Sequence, residues 1–380
     1  MNPSPITIDV YDAAGYLLAP IGDPVSVQAV PRHNAVSTAT VTVKDSARAD
    51  LLAADGARAT LTLDGLSGIL VGGYVTEANS DITGTRVFTV VDDWTLLLDT
   101  LGWPVPGSPL TAQTLAYDIR SGPAETVVKQ VVQANAVDRI GRAVTVAPDL
   151  GRGAQVTCSF RMHPLADRLF PAADQAGIGV TVRAAPPVLS TDGRPRSPGL
   201  IVDCYTPRVF GSQVSDISGA VETWKHHQQG PTVTRVVSGA QGEAAARDFG
   251  STTDSPLELR YGRVVERFID ARDTADQPVA LNRRAEALAA GAPSSGVAVT
   301  LAQTGGFVLG DRGVRVGDLL PVRVGGFVFL DVLREATVTW QAGSGLQITP
   351  TIGDVQAPHL ALPGAITDLR RTVRDLTAGR

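Results

Sequence analysis

What most limits the fold of this chain is a period of two that recurs near its start. In TATVTV (Thr38–Val43), Ala39, Val41 and Val43 fall on one side of an extended backbone and three threonines on the other. Successive side chains of a strand point to opposite faces. ITIDV, VSVQAV, ATLTL, ILVGGYV and RVFTVV repeat the pattern or run apolar, with Gly, Asp and Pro between them. Such residues suit a half-buried pleated surface and the turns that join it. The spacing predicts a small β barrel or sandwich, with one short helix at SARADLLAADG (Ser46–Gly56).

The stretch VVDDWTLLLDTLGWPVP (Val90–Pro106) poses a choice, because it sets paired carboxylates beside aromatic residues. Asp93 stands where a helix N-cap belongs. Trp94, Leu97, Leu98 and Leu101 then follow at i, i+3, i+4 and i+7, one helical face, with Gly102 and Pro104 as stop signals. Unpaired N–H groups and the positive dipole end make a helix start a natural place for Asp92 and Asp93. The expectation is therefore a capped helix closing a β domain rather than an acid/base pair.

Beyond Pro106 the pattern changes. SGPAETVVKQVVQANA predicts a helix with Pro123 in its first turn and an apolar stripe of Ala124, Val127, Val128, Val131 and Val132. RAVTVAP, QVTCSF, GIGVTVRA and GLIVDCY read as strands, PLADRLFPAADQAG as a helix broken or kinked at Pro171, and STDGRPRSPG as an exposed hairpin loop. From Val221 to about residue 350 the chain returns to strands, interrupted by a helix at QPVALNRRAEALAA. In the tail, Leu362, Ile366, Leu369, Val373 and Leu376 are spaced 4, 3, 4, 3, a heptad seam. Two heptads do not hold a coiled coil unaided, so the seam implies copies brought together by a larger body, or a second chain. The expected organisation is mainly β with an α/β insert (α+β): an N-terminal β domain with its closing helix (1–105), a mixed α/β insert (106–220), a second β domain with one helix (221–352), and a linker with a short C-terminal coiled-coil helix (353–380). The two β regions are expected to be barrel-like.

The residues offer no chemistry that stands out. Two cysteines make no disulfide framework, and Cys158 and Cys204 fall on the apolar faces of their strands, so both are expected in the core. The five histidines are scattered, and adjacent His226 and His227 point to opposite faces of one strand. DARDTAD (Asp270–Asp276) resembles the start of a calcium loop but lacks its glycine and its final bidentate acid. No nucleophile elbow or phosphate loop is present. We therefore expect no catalytic, cofactor-binding or metal-ligating residues, and no cofactor. A net charge of −5 argues against general affinity for nucleic acid or anionic membrane. No apolar run approaches a membrane span, and MNPSPITIDVYD reads as a strand rather than a signal peptide.

DDWTLLLDTLGWPVP, GPAETVVKQVVQANAVDR, GPTVTRVVSGAQGEAAARDF, GRVVERFIDARDT and ITDLRRTVRDLT together resemble the Gp37-like minor tail proteins of long-tailed actinobacteriophages. The blocks spread from about residue 80 to 376, and none is a catalytic motif. The resemblance implies a structural, non-enzymatic hub of a tail tip or baseplate, located in the virion and made in the bacterial cytoplasm. It implies a homotrimer that meets distal-tail and tube proteins above. Below it would carry a central fibre, spike, lysin or other minor tail proteins. The tape-measure protein is a further implied partner, DNA passes only in transit, and stable membrane binding is not implied. Leu362, Ile366, Leu369, Val373 and Leu376 would then line the trimer axis. Two other classes stay open: a tail-associated cell-wall hydrolase, and a receptor- or carbohydrate-binding tail module.

Overall fold

The computed structural model describes residues 4–352, apart from 81, 83, 220, 241–246, 272–276 and 302–307. It is mainly β. Seven strands come first: β1 (Ile6–Tyr11), β2 (Leu17–Ile21), β3 (Ser26–Val30), β4 (Thr38–Lys44), β5 (Arg58–Leu63), β6 (Val71–Ser80) and β7 (Thr85–Asp92). In β4 the alternation does what the sequence predicts, with Ala39, Val41 and Val43 buried and the threonines half-buried. The expected first helix forms at Ala47–Leu52, capped by the Ser46 hydroxyl accepting from the Ala49 N–H.

The two β regions are not two barrels. They share one 13-stranded sheet whose main path runs Val221–Gln229, Ser294–Leu301, Gly345–Ile352, Phe327–Gln341, β3, β4, β7, β6, β5, β1, β2, and it has two ends. The strand that joins the halves is Phe327–Gln341. Its first part pairs with Leu319–Val324, and its last part pairs with β3 through Val338↔Ala29 and Trp340↔Val27. A register shift lies between Leu333 and Glu335. An extra residue there re-aims the side chains, so one strand serves two cores. Leu333 packs with Val214, Val299, Leu301, Leu320, Val322 and Ile352, while Ala336, Val338 and Trp340 pack with β1–β7.

The α/β insert has its own core, built on Val127, Val128, Val131, Phe160, Leu169 and Val202. The helix Ala124–Val132 continues as a π-helix over Gln133–Arg139, and the helix Ala166–Gln175 keeps Pro171 inside it. Gly179–Ala184, Leu200–Tyr205 and Val144–Val146 form its three-stranded sheet. In the last third the sequence reading missed a small unit. Phe249–Thr253, Arg235–Gly239 and Glu266–Asp270 form a separate sheet beside the helix Gln277–Ala290, with a further helix at Ser255–Tyr261 capped by Asp254. Arg284 donates to Ser238 and Thr252, which fastens the long helix across that sheet.

Candidate functional site

The corner after β7 holds the acids the sequence singled out. Asp92 turns inward, and its carboxylate accepts from the backbone N–H of Ser37 at 2.8 Å and of Trp94 at 3.2 Å. Burial pushes its pKa up to about 7, although the bonds to Ser37 and Trp94 oppose the shift. Asp93 is fully buried and forms an ion pair with Arg58, whose guanidinium lies 4.4 Å above the Tyr74 ring. Burial raises the Asp93 pKa and the Arg58 charge lowers it.

This geometry corrects the capped-helix expectation. The helix spans only Thr95–Leu98, Trp94 occupies its N-cap position, and no side chain caps it. Asp93 is committed to Arg58 instead. Trp94 and Leu97 are buried as expected, but Leu98 and Leu101 are each 40% exposed, and Leu96 is buried in their place. Leu101–Gly102 leaves the helix to pair with His163–Pro164. A Cβ at Gly102 would lie 2.6 Å from the Phe160 ring, so this glycine marks close packing of a ring on a strand, not a helix stop. Trp94, Leu96 and Leu97 belong to the insert core, with Trp94 edge-on to Phe170 at 4.8 Å. The stretch therefore carries the chain out of the main sheet into the insert.

A cleft of about 280 Å³ opens beside this corner, lined among others by Gly15, Arg58, Tyr74, Asp93, Arg142 and Arg196. Among the described residues its one carboxylate is the buried, ion-paired Asp93. Glycoside hydrolysis needs two carboxyl groups flanking the scissile bond, and among the described residues the cleft has no second. Among the described residues no group of three His, Cys, Asp or Glu is placed to hold a metal, and no helix is long and apolar enough to cross a membrane. Asp270 pairs with Arg247, and the rest of the calcium-like run lies largely outside the described residues.

Both thiols are free and buried. Burial pushes Cys158 up to about 11 and Cys204 up to about 12. Since the thiolate is the nucleophile, neither should react with iodoacetamide in the native protein at pH 7.5, whereas both should be labelled in urea. Mass spectrometry before and after unfolding checks this.

Two polar clusters went unseen in the sequence. In the insert, Glu125 is fully buried and accepts from Lys129 at 2.6 Å and from Arg152 at 2.8 Å, while Lys129 also reaches Asp203 at 2.9 Å. The Arg152 hydrogen bonds hold the Glu125 carboxyl far below the usual range. At the joint between insert and main sheet, His33 and Asn34 meet Asp174, Tyr205 and Arg334. Their ligands come from segments 140 to 300 residues away, which no local pattern encodes. Asn34 at φ +47° was the one signal, since Asn tolerates that region. The seam residues Leu362, Ile366, Leu369, Val373 and Leu376 lie outside the described residues.

The model of the siphovirus ReqiPepy6 Gp37-like protein family matches residues 7–354. The chain belongs to this family. The Gp37-like chain matches no curated protein. Among solved structures, its fold is similar to the 43 kDa tail protein of prophage MuSo2 from Shewanella oneidensis, at 14% identity and a TM-score of 0.51, over 92% of this chain and 98% of that one. A tail protein from Neisseria meningitidis matches at 14% identity and a TM-score of 0.49, over 92% and 97% of the two chains. Prophage tail protein gp18 from Listeria monocytogenes matches at 11% and 0.46, over 97% and 100%. This member of the Gp37-like family has a mainly β fold similar to that of the MuSo2 tail protein.

Proposed function

We propose that this Gp37-like protein is a structural component of a phage tail, the hub of its tip or baseplate, and carries no catalytic role of its own. The family match over residues 7–354 carries the reading, supported by a tail-protein fold that extends over 92% of the chain. Three copies surround the tail axis. Their upper face meets distal-tail and tube proteins, and their lower face carries a central fibre, spike or lysin. The hub adapts the symmetry of one to the other and gates the passage of DNA. Its surfaces, rather than a pocket, do the work, and among the described residues the cleft beside Asp93 has no second carboxylate of the kind a glycan hydrolase would need. A net charge of −5 per chain fits a lumen that does not grip phosphate.

In this reading Leu362, Ile366, Leu369, Val373 and Leu376 form a parallel three-helix seam below the body, each buried aliphatic side chain contributing about 1.5–3 kcal/mol. Stopping the chain after Ala361 tests it. The body should fold and assemble into tails, while the downstream fibre or lysin fails to attach. Mass in solution for a 39.6 kDa chain, and electron microscopy of virions, provide the readouts. A monomer at every concentration, together with absence of the protein from purified virions, would overturn the hub.

A further inference from the structure

The loop between β3 and β4 fastens the main sheet to the insert, and His33 is its centre. The imidazole is buried. Its Nδ1 stands 2.8 Å from the Tyr205 hydroxyl, and its Nε2 stands 3.6 Å from the Asp174 carboxylate. These partners set the tautomer: Nε2 carries the proton, facing a carboxylate, and the Nδ1 lone pair accepts the Tyr205 O–H. Tyr205 ends the strand Leu200–Tyr205, and Asp174 lies near the end of the helix Ala166–Gln175, both in the insert. Tyr205 is clamped, since a Cβ at Gly179 would lie 2.1 Å from its ring and one at Gly317 would lie 2.1 Å from its hydroxyl.

Charged groups approach from every side. Arg334, on the strand Phe327–Gln341, pairs with Asp174 at 2.9 Å. Asp318 acts on Tyr205 and is itself paired with Arg208. On the loop, Arg32 pairs with Glu335 at 2.9 Å. Asn34 donates to Asp174 at 2.7 Å and to the Ile178 carbonyl at 2.9 Å, and accepts from the Val180 N–H at 2.9 Å. Asp174 is therefore already shared by Arg334 and Asn34 before His33 makes any demand on it.

We propose that His33 is an acid-released latch: a proton on Nδ1 takes the lone pair that holds the Tyr205 hydroxyl, and so loosens the insert from the main sheet. An imidazolium donates from both nitrogens. The Tyr205 hydroxyl would have to reverse and accept, and its own proton would then need a new acceptor. The bond to His33 is the only hydrogen bond that hydroxyl makes among the described residues. A buried, orphaned O–H is unfavourable, and so is a buried cation with Arg334 nearby. Burial holds the His33 pKa down to about 4, with Asp174 pulling it up and Arg334 pushing it down. The latch stays closed at neutral pH and opens as pH falls through about 4.

The test uses the full chain. Imidazole NMR of the wild type should show His33 titrating near pH 4, well below 6.5. Tyr205→Phe leaves the Nδ1 lone pair without its donor, so the His33 pKa should rise by about half a unit to one unit. Hydrogen exchange at pH 7 and at about pH 4, corrected for intrinsic rate, gives the second readout. Segments 174–180 and 200–205 should lose protection in acid, while 38–43 keeps it. His33→Gln accepts from Tyr205 through its amide oxygen and does not titrate, so it should abolish that difference. A wild-type His33 that titrates near 6.5, a Tyr205→Phe variant with no shift, or equal acid-induced loss in His33→Gln and wild type would overturn the latch. If His33→Gln does not fold, the Tyr205→Phe titration decides alone.

Discussion

Replacing Arg58 with alanine destabilises the protein by about 3–5 kcal/mol, the cost of leaving a buried charge without its partner. The Asp93 side chain has no solvent exposure and that of Arg58 has 13%, so the pair is shielded from water while the guanidinium is in place. The Tyr74 ring loses the cation stacked on it as well. Urea denaturation measures the effect as a fall in midpoint at constant slope. Adding Asp93→Asn to Arg58→Ala removes the orphaned charge and should restore a large part of the loss, so the two substitutions are strongly non-additive. A loss below about 1 kcal/mol in Arg58→Ala would mean that Asp93 is held as the neutral acid and that the pair is not ionic.

The second large effect is a pair of opposed pH dependences. His33 is lowered from 6.5 to about 4, so its contribution to stability is present above pH 6.5 and is lost as pH falls through 4. Asp92 is raised from 3.8 to about 7, so its contribution is present below pH 3.8 and is lost as pH rises through 7. At 1.36 kcal/mol per unit, the full swings are about 3 kcal/mol for His33 and about 4 kcal/mol for Asp92, both upper values. Between pH 4.5 and 7 the two slopes run against each other. Relative to wild type, Asp92→Asn should therefore gain stability as pH rises, and His33→Gln should lose it. Urea midpoints at three pH values across that window are sufficient. Parallel profiles for wild type and both variants would show that neither group titrates abnormally in the folded protein.

The strands were legible because their signal is local. The alternation in Thr38–Val43 and the β-branched content of Leu200–Tyr205 specify extended backbone with one buried face, and the structure places Val41, Val202 and Cys204 in cores accordingly. The family was legible for a different reason, since blocks spread over most of the chain matched a known pattern, and the family model bears that out. At the corner after β7 the same kind of reading failed. Trp94, Leu97, Leu98 and Leu101 carry a helical spacing, yet the helix stops at Leu98, because the ladder to His163–Pro164 and the Phe160 ring over Gly102 compete for the same residues. Those competitors lie about sixty residues away along the chain, so the local pattern could not register them.

By itself, then, the sequence determined the mainly β class, the existence of a mixed insert, the burial of both cysteines and the family. Each rests on residues within one element or on a motif that survives without knowing its neighbours. Only the tertiary structure decided that the two β regions share one open sheet, because that follows from the pairing of Phe327–Gln341 with β3 across some three hundred residues. It also decided what the acids do. Whether a carboxylate caps a helix, binds Arg58 or waits in a cleft depends on which distant groups share its burial, and desolvation makes that choice worth several kcal/mol.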